Sequence, residues 1–457
     1  MKLVLSIRNL MMLALLPFIA ACGDDVTNHN YPASPPAEEE EQPQKPPFEE
    51  GKWITDAHSM CYFDILPKDR YTLYPVWLLQ ADGVKRAYED SEFAQEFISD
   101  DIRLQLRNPG AGTRITLRME ESPVCHALER SVVVPQDKTD ETIYLAFPVK
   151  WDVDALLGWH ADKMVELTWN LLLDGKEVDH YTQQFNCRSL HTYYHNTDLI
   201  PTEHAQLIDE VKRYDFGSYP VKDTENYCSL YATPFIMGYV DEHSPLVEKL
   251  KEEVTADGYF STLAGAAYDT PEELLATTAQ AFTYLMMKHR VVYTISDSGG
   301  PQYVRTIDDI FRNHQGYCME LAIAFASWCL NQGVVATIEF VPGHAVNRVF
   351  DNEGNPYPVD MTTVASWPHI YQPFATPPTK EDFGQADWLF ENVMKISKKD
   401  DTEKYEPGRI ENPGEYDTID VIALRHFLPS FNIGDSYAHT RAAWEEEEEL
   451  KFKKRRF

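Results

Sequence analysis

The chain has 457 residues with 41 basic and 73 acidic side chains, a net charge of −32, and 43% apolar against 25% charged residues. That length predicts two or three domains with a sizeable core, and the composition excludes wholesale disorder. So strong a negative charge repels phosphate backbones and argues against nucleic acid as a partner.

The first 22 residues read as an address. Lys2 and Arg8 give a basic start, and residues 10–21 form an apolar run too short to span a bilayer, which is the pattern of a signal peptide. Ile19-Ala20-Ala21-Cys22 resembles a bacterial lipobox. The resemblance implies cleavage before Cys22, acylation of Cys22, and an exported protein held on the outer membrane by its lipid. Residues 23–50 form a tether, with Pro32, Pro35, Pro36, Pro43, Pro46 and Pro47 around a glutamate run at 38–41. It holds too little apolar surface to offset its ordering entropy. Asp24 and Asp25 resemble the acidic export tags of surface lipoproteins in the Bacteroidetes, which implies surface exposure. With Cys22 acylated, the even remainder Cys61, Cys125, Cys187, Cys228, Cys318 and Cys329 permits disulfides without fixing their pairing.

Residues 51–190 have the period of strands. Ile115, Leu117 and Met119 alternate with polar neighbours, and further strands are expected near 130–134 and 142–151. Asp174-Gly175 between 165–173 and 176–185 has the chemistry of a type I′ turn and predicts a hairpin. An all-β, immunoglobulin-like sandwich follows, with Trp169 in its core.

Beyond 195 the period becomes helical. Thr270-Pro271-Glu272-Glu273 combines a cap, a first-turn proline and a capping-box glutamate, ahead of a stripe from Leu274 to Met286. Thr306 starts a short helix, and residues 317–330, apolar on all sides, predict a buried central helix ended at 331–333. Cys318 and Cys329 on that one helix lie about 16 Å apart and cannot bond to each other. Residues 334–341, 344–350 and 357–361 read as strands, so the region 195–365 is an α+β domain with a helix on an antiparallel sheet. Residues 366–457 read as an extension packing on that domain. Its final acids and bases, from Glu445 to Arg456, have the spacing of a solvated helix.

Chemistry concentrates where the helix meets the sheet. Cys318 opens the buried helix, whose positive end favours a thiolate. His344 starts a strand after the Pro342-Gly343 turn. The loop from Asp351 to Asn355, with Gly354 in the left-handed position, pairs 351 with 355 and therefore 346 with 360. Asp360, on the next strand, then lies one diagonal step from His344, within reach to orient an imidazole. No H-E-x-x-H, C-x-x-C, P-loop or G-x-S-x-G pattern occurs, and no cofactor is implied.

Gly316-Tyr317-Cys318, Gly343-His344-Ala345 and Tyr357-Pro358-Val359-Asp360, with the helix from 270 and Tyr293 upstream, resemble the transglutaminase-like superfamily of papain-fold cysteine enzymes. The 16 residues between His344 and Asp360 are usual for that family, whereas the 26 between Cys318 and His344 are fewer than usual. Val346 stands where the family often has tryptophan. The resemblance implies a catalytic set of Cys318, His344 and Asp360 acting on amide bonds of a peptide, protein or glycopeptide through an acyl-enzyme, with hydrolysis expected over transfer. The other reading is a non-catalytic binding lipoprotein that uses the sandwich and the papain-like scaffold to hold a ligand.

Overall fold

The switch of period near residue 195 becomes, in the computed structural model, a mixed α+β chain: two β-sheets dominate the first part, and helices around a third sheet dominate the second. The structure describes residues 59–60, 72–87, 101–107, 110–134, 136, 142–193, 233–259, 270–295, 302–367, 374–412 and 416–431. The signal segment with Cys22, the tether, Cys61, Cys228 and the charged tail lie outside the described residues.

The first part runs β1 (Ser59–Met60), β2 (Thr72–Leu73), α1 (Pro75–Ala87), β3 (Asp101–Arg107), β4 (Arg114–Met119), β5 (Leu128–Val133), β6 (Thr142–Pro148), α2 (Val153–Leu157), β7 (Lys163–Leu173), β8 (Lys176–Cys187) and β9 (Thr192–Tyr193). Five strands pair in the order β2-β8-β7-β4-β5, and three in the order β1-β3-β6. The β7–β8 hairpin turns on Asp174 and Gly175, at φ 49° and 80°, the left-handed pair that an Asp-Gly type I′ turn requires. Along β7, Val165, Leu167, Trp169, Leu171 and Leu173 are buried on one face. On the other face, Gln184 donates to Glu166 at 2.8 Å and Thr168 meets Thr182 at 2.9 Å. The segment is not all β. The 13-residue α1 starts on Pro75, and Val76, Trp77, Leu78 and Leu79 are buried consecutively, a pattern of helix packing that alternation does not describe.

The second part opens with a 3₁₀ turn at Thr233–Tyr239 and α3 (Pro245–Ala256). Helix α4 runs as Pro271–Leu275, a π-helical turn at Ala276–Gln280, and Ala281–Lys288. Thr270 and Glu273 close the expected capping box at its start. There follow β10 (Val292–Tyr293), β11 (Gln302–Tyr303), α5 (Ile307–Asn313), β12 (Gln315–Gly316), α6 (Cys318–Asn331), β13 (Ala336–Val341), β14 (His344–Phe350), β15 (Pro356–Val359), α7 (Met361–Ala365), α8 (Lys380–Asp400), α9 (Glu406–Glu411), β16 (Asp417–Asp420) and α10 (Val421–Arg425). A π-helical turn at Asp401–Tyr405 joins α8 to α9. The sheet β15-β14-β13-β16 is antiparallel throughout.

Helix α6 is the axis of this part, with every residue from Met319 to Cys329 buried. One side joins a core that includes Leu73, Trp77, Leu167, Tyr239, Ile338 and Phe431, so the β-rich and helical parts share apolar packing. Its other side, through Phe325 and Trp328, joins a core built from α3, α4, α7 and α8. The two parts also share main-chain bonds. Strands β9 and β11 pair antiparallel, and Val304 N–H donates to the His191 carbonyl at 2.7 Å.

The extension after residue 366 is tied to the sheet by four charges in a closed ring. Arg348 of β14 pairs with Glu339 at 3.3 Å and with Asp401, and Arg409 pairs with Asp401 at 3.1 Å and with Glu339. The Glu339 side chain is 4% exposed, so it depends on both guanidinium groups. Replacing Arg348 with alanine should therefore cost about 3 kcal/mol, read as a lower urea midpoint at unchanged slope. A change below about 0.5 kcal/mol would assign the ring to the solvated surface.

Candidate active site

Cys318 is the first residue of α6, half-buried, with a free thiol. The approach to it is narrow. A Cβ on Gly316 would meet Leu321 Cδ2 at 3.0 Å, so glycine lets the strand β12 run close against the first turn of the helix. Strand β12 pairs in parallel with β10, setting Tyr293 opposite Gly316, and Thr294 N–H donates to the Gly316 carbonyl at 3.0 Å. Among the described residues the Tyr293 hydroxyl has no hydrogen-bond partner. Burial, with the charges of Cys318 and Asp360, pushes its pKa up, so it remains a donor.

The start of α6 is anchored by a carboxylate with no exposed surface. Glu320 accepts from Tyr317 N–H at 3.0 Å, Arg305 N–H at 2.7 Å and the Arg305 guanidinium at 2.8 Å. Burial outweighs these bonds and raises its pKa to about 7. The sequence signal for this anchor is weak, because Tyr317 stands where a capping box normally has Ser or Thr.

His344 begins β14 directly after Gly343, at φ 70°. Strand β14 is bolted to α6 by Asn347, which is 1% exposed and donates to the Ala322 carbonyl at 3.1 Å and the Thr337 carbonyl at 2.9 Å. A polar residue among Ala345, Val346 and Val349 is the sequence signal for such a bolt. The β14–β15 ladder pairs Asn347 with Val359 and closes with Asp351 N–H on the Asn355 carbonyl, the register expected from Gly354.

Asp360 lies one residue past β15 and is the N-cap of α7, where the sequence reading has it on the strand. It serves both elements. Its Oδ1 accepts from Thr362 N–H at 2.9 Å and from the Thr362 hydroxyl, and its Oδ2 accepts from His344 Nε2 at 2.9 Å. Cys318 lies near enough to the imidazole for its sulfur to act with Asp360 on the ring's protonation. All three sequence-derived site residues, Cys318, His344 and Asp360, are thus brought together, with His344 acted on by both of the others. Ser397 of α8 completes it from behind, accepting from Asp360 N–H at 3.0 Å.

Burial alone pulls the His344 pKa down, but the hydrogen bonds and negative charges of Asp360 and Cys318 overcome it and hold it up at about 10. The arrangement therefore favours an imidazolium at neutral pH, placed beside the Cys318 sulfur. Among the described residues no group of three or more His, Cys, Asp and Glu side chains is placed to hold a metal ion. No protein-family model matches the chain, and no curated protein matches it.

The raised His344 pKa carries a stability signature. Protonation favours the folded state fully below the ordinary value of 6.5, and the advantage is lost as pH rises through about 10. With Asp360→Asn the cap acceptor remains but the carboxylate charge is gone. The melting-temperature gap between wild type and variant should then be widest below pH 6.5, at about pH 5.5, and narrow toward pH 10; a gap independent of pH would show that the pair is not ionic.

Proposed function

We propose that the chain is an exported, lipid-anchored cell-envelope protein whose papain-like, transglutaminase-like part hydrolyses amide bonds in peptides or proteins through an acyl-enzyme. The observation that carries the reading is the His344–Asp360 hydrogen bond set beside Cys318 at the positive end of a buried helix. A nucleophile helix packed on an antiparallel sheet that bears the base supports the papain-like reading, and the two β-sheets upstream support an immunoglobulin-like sandwich. The lipid anchor and outer-membrane location rest on the sequence around Cys22 alone.

In this mechanism the Cys318 thiolate attacks the substrate carbonyl carbon, and the π-electron pair moves onto oxygen. The oxyanion receives hydrogen bonds from the Cys318 N–H, which has no acceptor within the helix, and from the Tyr293 hydroxyl. Collapse breaks the C–N bond as the His344 imidazolium gives its proton to the leaving amine. Neutral His344 then takes a proton from water, whose hydroxide attacks the thioester, and the acid leaves as Cys318 regains its thiolate beside protonated His344. Asp360 keeps the ring turned so that Nδ1 faces sulfur and stabilises its positive state.

Two measurements test this. At pH 6 an ordinary thiol is below about 1% ionised, so fast iodoacetamide labelling of Cys318 in wild type and a roughly 100-fold slower rate in His344→Gln are expected. Equally slow labelling in both would remove the ion pair and with it the enzyme reading. With p-nitrophenyl acetate, an acetyl group should appear on the Cys318 peptide. Tyr293→Phe should slow that acylation by roughly 100-fold while leaving iodoacetamide labelling, which builds no oxyanion, unchanged.

A further inference from the structure

The backbone amide of Asp360 is the first to leave the β14–β15 ladder, whose last pair is Asn347 with Val359. At that point an amide needs a new acceptor or stays unpaired in the interior. Ser397 supplies it, at 3.0 Å and with 4% of its surface exposed. Ser397 belongs to the buried stripe of α8 with Ala386, Leu389 and Val393, and its hydroxyl falls where the helix passes Asp360. One helical turn further, Asp401 pairs with Arg348, which shares the His344 face of β14. Helix α8 thus grips the residue carrying the acid, and the π-helical turn that continues it grips, four positions on, the strand carrying the base.

We infer that Ser397 is a positioning residue for the thiol site: it fixes the backbone from which the Asp360 carboxylate reaches His344. This rests on the reading of Cys318, His344 and Asp360 as the reactive set. With the amide pinned by Ser397 and Oδ1 pinned by Thr362, Oδ2 is left a single direction, toward Nε2. Without Ser397 the cap can still form, but its backbone is free to shift by a fraction of an ångström. A hydrogen bond between a carboxylate and an imidazole is sensitive to shifts of that size. The helix after residue 380 thereby becomes part of the chemical apparatus and more than a cover for the core.

The test compares Ser397→Ala, Ser397→Thr and Val393→Ala in the full chain. Val393→Ala removes apolar packing from the same helix without touching Asp360. The readouts are the His344 titration by NMR and the rate of Cys318 alkylation by iodoacetamide at pH 6, in protein shown folded by circular dichroism. Ser397→Ala should lower the His344 titration midpoint by about one pH unit and slow alkylation roughly ten-fold, and Ser397→Thr, which keeps the acceptor, should recover most of both. Val393→Ala should lower the melting temperature and leave both readouts unmoved. An unchanged titration in Ser397→Ala, or an equal change in Val393→Ala, overturns the inference while leaving the thiol reading intact. Wild-type alkylation that does not depend on His344 overturns the thiol reading, and the inference with it.

Discussion

A helix enclosed on every side cannot hand its first N–H groups to water, and the structure around α6 follows from that constraint. Glu320 accepts from Tyr317, but a carboxylate without exposed surface needs a cation, which Arg305 provides from the residue before the cap of α5. Arg305 in turn follows Val304, which is hydrogen-bonded to His191 at the end of the β-rich part. The start of the helix is therefore held by a chain of bonds that leads out of its own layer. What stays unspent is the outermost position, where half-buried Cys318 meets the positive end of the helix.

The second half of the site is built by economy of a different kind. Asp360 is a helix cap and a histidine partner at once, because a carboxylate has two oxygens and each can point along a different element. Asn347 and Ser397 perform the matching tasks on either side, one holding the His344 strand to α6 and the other holding Asp360 to α8. None of these three contacts touches the sulfur, yet together they decide where the imidazole lies.

How much of this was legible depended on whether the signal was local. The Asp174-Gly175 turn, the Thr270 capping box and the Gly354 register are each set by neighbours in sequence, and each could be read directly. Helix α8 was not legible, because two of the five residues on its buried stripe, Asp382 and Ser397, are polar, which blurs a helical period. Helix α1 was hidden by the opposite problem, a run of consecutive buried residues that has no period at all. Cys318, His344 and Asp360 could be named because turn chemistry sets Asp360 beside His344 and because the motifs around all three resemble those of the transglutaminase-like superfamily. Glu320, Asn347 and Ser397 act on partners that only folding brings near, and for Ser397 the sequence offers no signal.

The pairing of β9 with β11 has a consequence for how the chain can come apart. Strand β9 closes the β-rich part, while β11 lies between α4 and α6, more than a hundred residues later. Together with the apolar cluster that runs from Leu73 to Phe431, this stitches early and late sequence into a common interior. Such an interior melts as a whole: a calorimeter would record one endotherm for the two parts, and the β-rich segment cannot be lifted out as a transferable module without unmaking the wall against which α6 rests.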